Sequence, residues 1–189
     1  MFRATVAVLV SLAGVQDIVC ADEAAAKTTE VKLKALTLKV PEAWKQDPAR
    51  RRFRLATFEI PAAEGDKEKA ELAIYNFPGG GGGVKDNISR WVGQFESKGR
   101  KQKITIGKAG DSTYFVVEVS GTYNKPIGPP IRGQKKPVKG ARMLAIILQL
   151  DEGVYFLKMT GNDNSVKAQA KALRRSFGGS VDDEKEHKV

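Results

Sequence analysis

Residues 72–77, Leu-Ala-Ile-Tyr-Asn-Phe, constrain this chain more than any other stretch. In extended backbone they place Leu72 and Ile74 on one face and Ala73, Tyr75 and Phe77 on the other. A strand that is apolar on both faces needs cover on both sides. Pro78 and five glycines, Gly79 to Gly83, follow at once. Val84, Ile88, Trp91, Val92 and Phe95 then recur at i, i+4, i+7, i+8 and i+11, with Lys85, Asp86, Arg90 and Gln94 outside the stripe. The spacing predicts an amphipathic helix over residues 84–98, capped by Asp86 or Asn87 and ended by Gly99. Strand, glycine loop and helix over residues 70–98 form the centre on which the rest closes.

Residues 31–40 alternate, but the phase slips at Ala35-Leu36, which predicts a bulged strand or two short ones. Pro41-Glu42-Ala43-Trp44 is a turn that returns Trp44 to the core edge. Residues 48–52 are a basic loop, residues 53–60 a strand with Ala56, Phe58 and Ile60 inward, and residues 61–69 a polar connection. Ile104 and Ile106 mark a half-exposed strand, residues 107–111 a turn, and residues 113–120 its partner. Residues 143–148 are uninterrupted apolar, the signature of a central strand. Asp151-Glu152-Gly153 turns the chain into a strand over 154–159. Residues 162–177 read as a final helix with Val166, Ala170, Leu173 and Phe177 inward and Lys167, Lys171, Arg174 and Arg175 outward. Residues 121–140, with four prolines and five cations, read as a structureless basic insert between two core strands, a length that is usually functional or disordered.

Tight turns at 107–111 and 151–153 imply antiparallel neighbours. The expected fold is therefore α+β: an antiparallel sheet with a helix packed on each face. Val40-Pro41-Glu42-Ala43-Trp44 near the start and Gly161 leading into the closing helix resemble the PsbP-like family of α/β/α sandwiches. That family is named for an extrinsic subunit of the photosynthetic oxygen-evolving complex and is shared with a nuclear Ran-binding protein. It favours glycine before the tryptophan, where this chain has Ala43. Residues 58–66, Phe-Glu-Ile-Pro-Ala-Ala-Glu-Gly-Asp, and residues 119–123, Val-Ser-Gly-Thr-Tyr, are similar to uncharacterised secreted bacterial proteins. Neither resemblance supplies catalytic residues; what they imply is binding and assembly.

Arg3, the apolar run 4–15 and Val19-Cys20-Ala21 before Asp22 read as a signal peptide over residues 1–21, too short for a membrane anchor. The expected organisation continues with a flexible lead over 22–30, one α/β domain over 31–177 and a disordered charged tail over 178–189. The reading places the protein outside the cytoplasm, periplasmic or extracellular. Cleavage after Ala21 removes the single cysteine, and the single histidine, His187, stands in the tail. Thiolate chemistry, Ser–His and Cys–His nucleophiles and histidine zinc sites thus have no residues to use. No cofactor is called for.

The formal net charge is +10, which attracts acidic proteins, polyanions or anionic envelope surfaces. Cations gather at Arg50, Arg51, Arg52 and Arg54, at Lys98, Arg100, Lys101 and Lys103, and at Lys135, Lys136, Lys139 and Arg142. Stacking aromatics are not interleaved among them, which disfavours nucleic acid. Phe53 alone lies within a cluster, and strand alternation can direct it to the core. The preferred function is a non-enzymatic accessory domain. It docks an acidic partner through Lys125, Arg132, Lys135, Lys136, Lys139 and Arg142, with Arg51 and Arg52. One alternative is a carboxylate-dependent hydrolase using Glu59 or Glu118. Another is a small-ligand carrier with Gly80, Gly81, Gly82 and Gly83 as an anion loop and a roomy apolar pocket beside it. The loop has no Gly-Lys-Ser/Thr sequence, and Asp86 stands near the helix start.

Overall fold

A computed structural model describes residues 27–49, 53–77, 79–128 and 133–189. The expected signal peptide, residues 22–26 of the lead, and Arg51, Arg52 and Arg132 lie outside the described residues. In chain order the strands are β1 (Thr28–Leu33), β2 (Leu36–Pro41), β3 (Lys45–Gln46), β4 (Arg54–Ile60), β5 (Ala70–Asn76), β6 (Lys101–Ala109), β7 (Ser112–Pro126), β8 (Lys135–Leu150), β9 (Gly153–Asn162) and β10 (Lys185–Glu186). The helices are α1 (Val84–Val92), α2 (Asp163–Ala168) and α3 (Ala170–Ser176). The main sheet is antiparallel, in the order β10-β6-β7-β8-β9-β5-β4-β3, and β1 and β2 pair separately. The phase slip at Ala35-Leu36 is thus a hairpin of two strands, with Lys34 in the left-handed region at its turn (φ 57°).

Alternation along β8 sorts the core. Leu144, Ile146 and Leu148 belong to one buried cluster with Tyr114, Val116, Leu72, Ile74 and Leu157. Met143, Ala145 and Ile147 belong to the other with Val117, Val119 and Phe156. Successive strand residues point to opposite faces, so the two clusters lie on opposite sides of the sheet. Ile88 and Trp91 of α1 join the second cluster. Val166 of α2, Leu173 of α3 and the β1–β2 hairpin (Leu36, Leu38, Val40) join the first, along with Trp44.

Several expectations change. The first helix ends at Gly93 rather than Gly99, because residues 94–96 bond to β7 instead: the Asn124 amide donates to the Gln94 carbonyl (2.8 Å) and that of Glu96 to Thr122 (3.0 Å). Arg100 stands near the exposed helix end, donating to the Val92 and Phe95 carbonyls (3.3 Å each). The final helix is two pieces broken at Gln169, whose side chain accepts from the Trp44 indole (3.0 Å). The insert over 121–140 is not structureless. Apart from residues 127–134 it consists of the ends of β7 and β8, paired as a hairpin arm (Tyr123↔Val138, Lys125↔Lys136). Thr28, Thr29 and Glu30, assigned to the flexible lead, are already part of β1.

The segment over 178–189, expected to be a disordered tail, is built into the fold. Residues 181–183 form a 3-10 turn, β10 pairs with β6, and the His187 amide donates to the Ile104 carbonyl (2.9 Å). Glu184 holds it. Its carboxylate accepts from Arg174 Nε (2.5 Å) and Thr105 Oγ1 (2.6 Å), and its side chain is 3% exposed. Arg174 is therefore not on the outer face of the helix; it is 2% exposed. A charge run reads as solvated until the fold supplies a buried opposite charge for one member of it.

Candidate functional site

The arm carries Lys125, Lys135, Lys136 and Lys139 at exposed positions. Register places Lys125 directly opposite Lys136, on the Tyr123 and Val138 face, and Lys135 on the other. None of the four has an ion-pair partner among the described residues. Arg142, expected among them, is drawn inward: it donates to Asp163 Oδ1 (3.0 Å) and Glu118 Oε2 (3.2 Å).

The two carboxylates considered for catalysis do not meet. Glu59 on β4 is exposed and paired with Lys69 (2.7 Å). Glu118 on β7 is held between Arg142 and Arg174, the latter at 2.8 Å. Three strands, β9, β8 and β5, separate β4 from β7, which is roughly 19 Å at the usual strand spacing. Glu118 also shares the face of Val116, and Glu59 the opposite one from Phe58 and Ile60, so the two acids lie on opposite sides of the sheet.

The glycine loop offers little to an anion. Asn87 donates to the carbonyls of Gly81 (3.1 Å) and Gly83 (2.9 Å) and turns them inward. The Asp86 carboxylate lies over Gly83, a Cβ on which would stand 3.2 Å from Asp86 Oδ2. A negative charge in the first turn favours the helix and repels a second anion. Asn87-Ile88-Ser89 has the sequence of a glycosylation acceptor site, but Asn87 is 3% exposed and closed to modification. At Gly81, φ is +70° and a Cβ would come within 2.8 Å of both Phe77 and Phe156. The glycine there allows backbone to lie directly on two aromatic rings.

Those rings line a cavity of about 210 Å³. Tyr75, Phe77, Trp91 and Phe156 form its apolar wall, and Arg90, Gln94 and Lys158 its polar side. Phe156 meets Trp91 edge-on (6.1 Å) and Phe77 at a tilt (5.8 Å). Phe53, which alternation could have sent to the core, is instead 63% exposed, its ring 6.3 Å from Phe77. The strand starts one residue later than expected, at Arg54, and Phe53 takes a left-handed turn (φ 67°).

Lys158 is the unusual residue here. It stands in the middle of the apolar strand β9 and is partly buried on the α1 side. Its ammonium donates to Gln94 Oε1 (2.6 Å) and Tyr123 OH (3.4 Å), and lies 5.5 Å from the Tyr123 ring centre. Among the described residues it has no carboxylate partner, and neighbouring Glu71 is paired with Arg54 (3.0 Å). Burial lowers its pKa to about 8, aided by the charges of Arg90 and Arg54 and opposed by Glu71. Burial likewise raises the Tyr123 phenol to about 12. Sequence reasoning passed over Lys158. The signal was a single lysine inside Val154-Tyr155-Phe156-Leu157-Lys158-Met159, a run otherwise apolar.

No family model and no curated protein matches the chain. Among solved structures it is similar to PsbP from the cyanobacterium Synechocystis, with 12% identity, a TM-score of 0.46, and coverage of 89% of this chain and 97% of that one. It is also similar to a protein of unknown function from Pseudomonas aeruginosa, with 15% identity, a TM-score of 0.42, and coverage of 79% and 93%. The first is a PsbP, the family that the sequence resembles. Likeness at this level says nothing of what the chain binds. Among the described residues no helix is long and apolar enough to cross a membrane.

Proposed function

We propose that this chain is an exported, non-enzymatic binding domain, an α/β/α sandwich with a helical layer on each face, that docks an acidic protein through its basic hairpin arm. The observation that carries the reading is the set of Lys125, Lys135, Lys136 and Lys139, exposed on the β7–β8 arm and without an ion pair among the described residues. Directly opposed like charges weaken a strand pair, so Lys125 facing Lys136 costs the arm a few tenths of a kcal/mol up to about 1 kcal/mol. An acidic partner would recover that cost. Arg132 would add to the same surface, and Arg51 and Arg52 to its surroundings. Pull-down with residues 22–189 from envelope extract should recover an acidic protein at low salt and lose it at moderate salt, where surface charge is screened. Replacing the four lysines with glutamine should abolish the recovery. Unchanged recovery by that variant sinks the reading.

A second reading, a small-ligand carrier, is favoured by one observation: the aromatic cavity of about 210 Å³ beside Gly81. The glycines would serve it as a close-packed rim rather than as an anion cradle. The hydrolase reading is not supported by its two named carboxylates, since Glu59 and Glu118 lie on different strands and are each held in an ion pair.

A further inference from the structure

The carrier reading can be sharpened to a class of ligand, and the ligand assignment rests on that reading. Three features coincide in the cavity between α1 and the β5 and β9 strands. The first is shape. A volume of about 210 Å³ is below the range of roughly 300–1,000 Å³ typical of drug-sized ligands, so the occupant is small, about one ring with a short substituent. The second is the wall, four aromatic side chains that present faces and edges to a flat apolar group. The third is charge. An ammonium has three donors, and Lys158 uses two of them, on Gln94 and Tyr123. The third has no partner among the described residues. A cation drawn this far out of water is ordinarily paired with an anion, and among the described residues Lys158 is not.

Arg90 stands on the same side of the cavity. Its guanidinium donates to Asn87 Oδ1, which leaves most of its five donors free. A ligand carboxylate set between Lys158 and Arg90 would satisfy both, while Gln94 keeps the lysine in place. We propose that this cavity binds a small aromatic monocarboxylate, its ring against Trp91, Phe77 and Phe156 and its carboxylate on Lys158 and Arg90.

The charged and titratable groups facing Lys158 are Arg90 from α1, Arg54 from β4, Glu71 and Tyr75 from β5, and Tyr123 from β7. Lys158 itself loses its charge near pH 8, so affinity for the anion should hold to about pH 8 and then fall by up to roughly tenfold per pH unit.

The probe is 3-phenylpropionate, and the signal is quenching of Trp91 in the full chain carrying Trp44→Phe, which removes the other tryptophan. Saturable quenching is expected, weakened at least tenfold in Lys158→Met and at least tenfold for the neutral 3-phenylpropionamide. Lys158→Arg, which keeps the charge, should retain more affinity than Lys158→Met. Equal binding of acid and amide overturns the carboxylate assignment and leaves the carrier reading standing. Absence of quenching by either probe overturns both.

Discussion

Lys158 shows how one residue can be out of place for stability. Its ordinary pKa of 10.5 falls to about 8 in the folded chain, chiefly through burial. Between those values the folded protein binds fewer protons than the unfolded one, so stability rises with pH across that window. Below pH 8 the cost of burying the ammonium is present in full. Tyr123, raised to about 12, works in the opposite direction above pH 10 and leaves the lower part of the window clean. Lys158→Met should therefore be more stable than the parent at pH 7, and should lose the parent's gain between pH 8 and pH 10. Denaturant midpoints at pH 7 and 9.5 check both points. A variant less stable than the parent at pH 7 would mean that the ammonium's bonds to Gln94 and Tyr123 outweigh its burial.

Elements in this fold are defined by what competes for their backbone and charges. The 84–98 stripe is real, with Ile88, Trp91 and Phe95 all buried, yet only the first two are helical. The arm captures Phe95 as an isolated bridge to Tyr123. The arm exists because Tyr123 and Val138 have a buried side to face, whereas the prolines and lysines around them read as a loop. The C-terminal segment depends similarly on Glu184. Glu184→Gln leaves Arg174 buried with Glu118 as its remaining ion-pair partner. Breaking a buried pair by removing one partner costs about 3–5 kcal/mol, and Glu118 keeps the loss near the lower end, about 3 kcal/mol. An unfolding free energy from denaturant titration that falls by less than about 0.5 kcal/mol, the size of an ordinary surface substitution, would show the segment to be dispensable.

At the scale of the whole molecule, one sheet is the floor of both buried clusters. β8 sends Leu144, Ile146 and Leu148 into one and Met143, Ala145 and Ile147 into the other, so the register of this strand sets both clusters together. The two tryptophans report separately, Trp44 in the first cluster and Trp91 in the second. Single-tryptophan variants, Trp91→Phe and Trp44→Phe, should each give one cooperative transition, and each tryptophan should melt in step with that variant's own far-ultraviolet signal. A tryptophan that melts ahead of the backbone would identify a layer that opens alone.

The sequence by itself determined the antiparallel order of the strands flanking 107–111 and 151–153, the two-faced β5, and the apolar stripes of the helices. These follow from local periodicity and turn chemistry, which the chain carries at short range. Where the helices stop, that residues 121–140 hold an arm, and that Arg174 and Glu184 are buried were decided only in three dimensions. Each depends on partners far apart in sequence, such as Gln94 with Asn124 and Arg174 with Glu118. The cavity around Lys158 is of the same kind. Its walls come from β5, α1 and β9, and only the packed sheet brings a lone lysine, four aromatic rings and the close-packed Gly81 to one place.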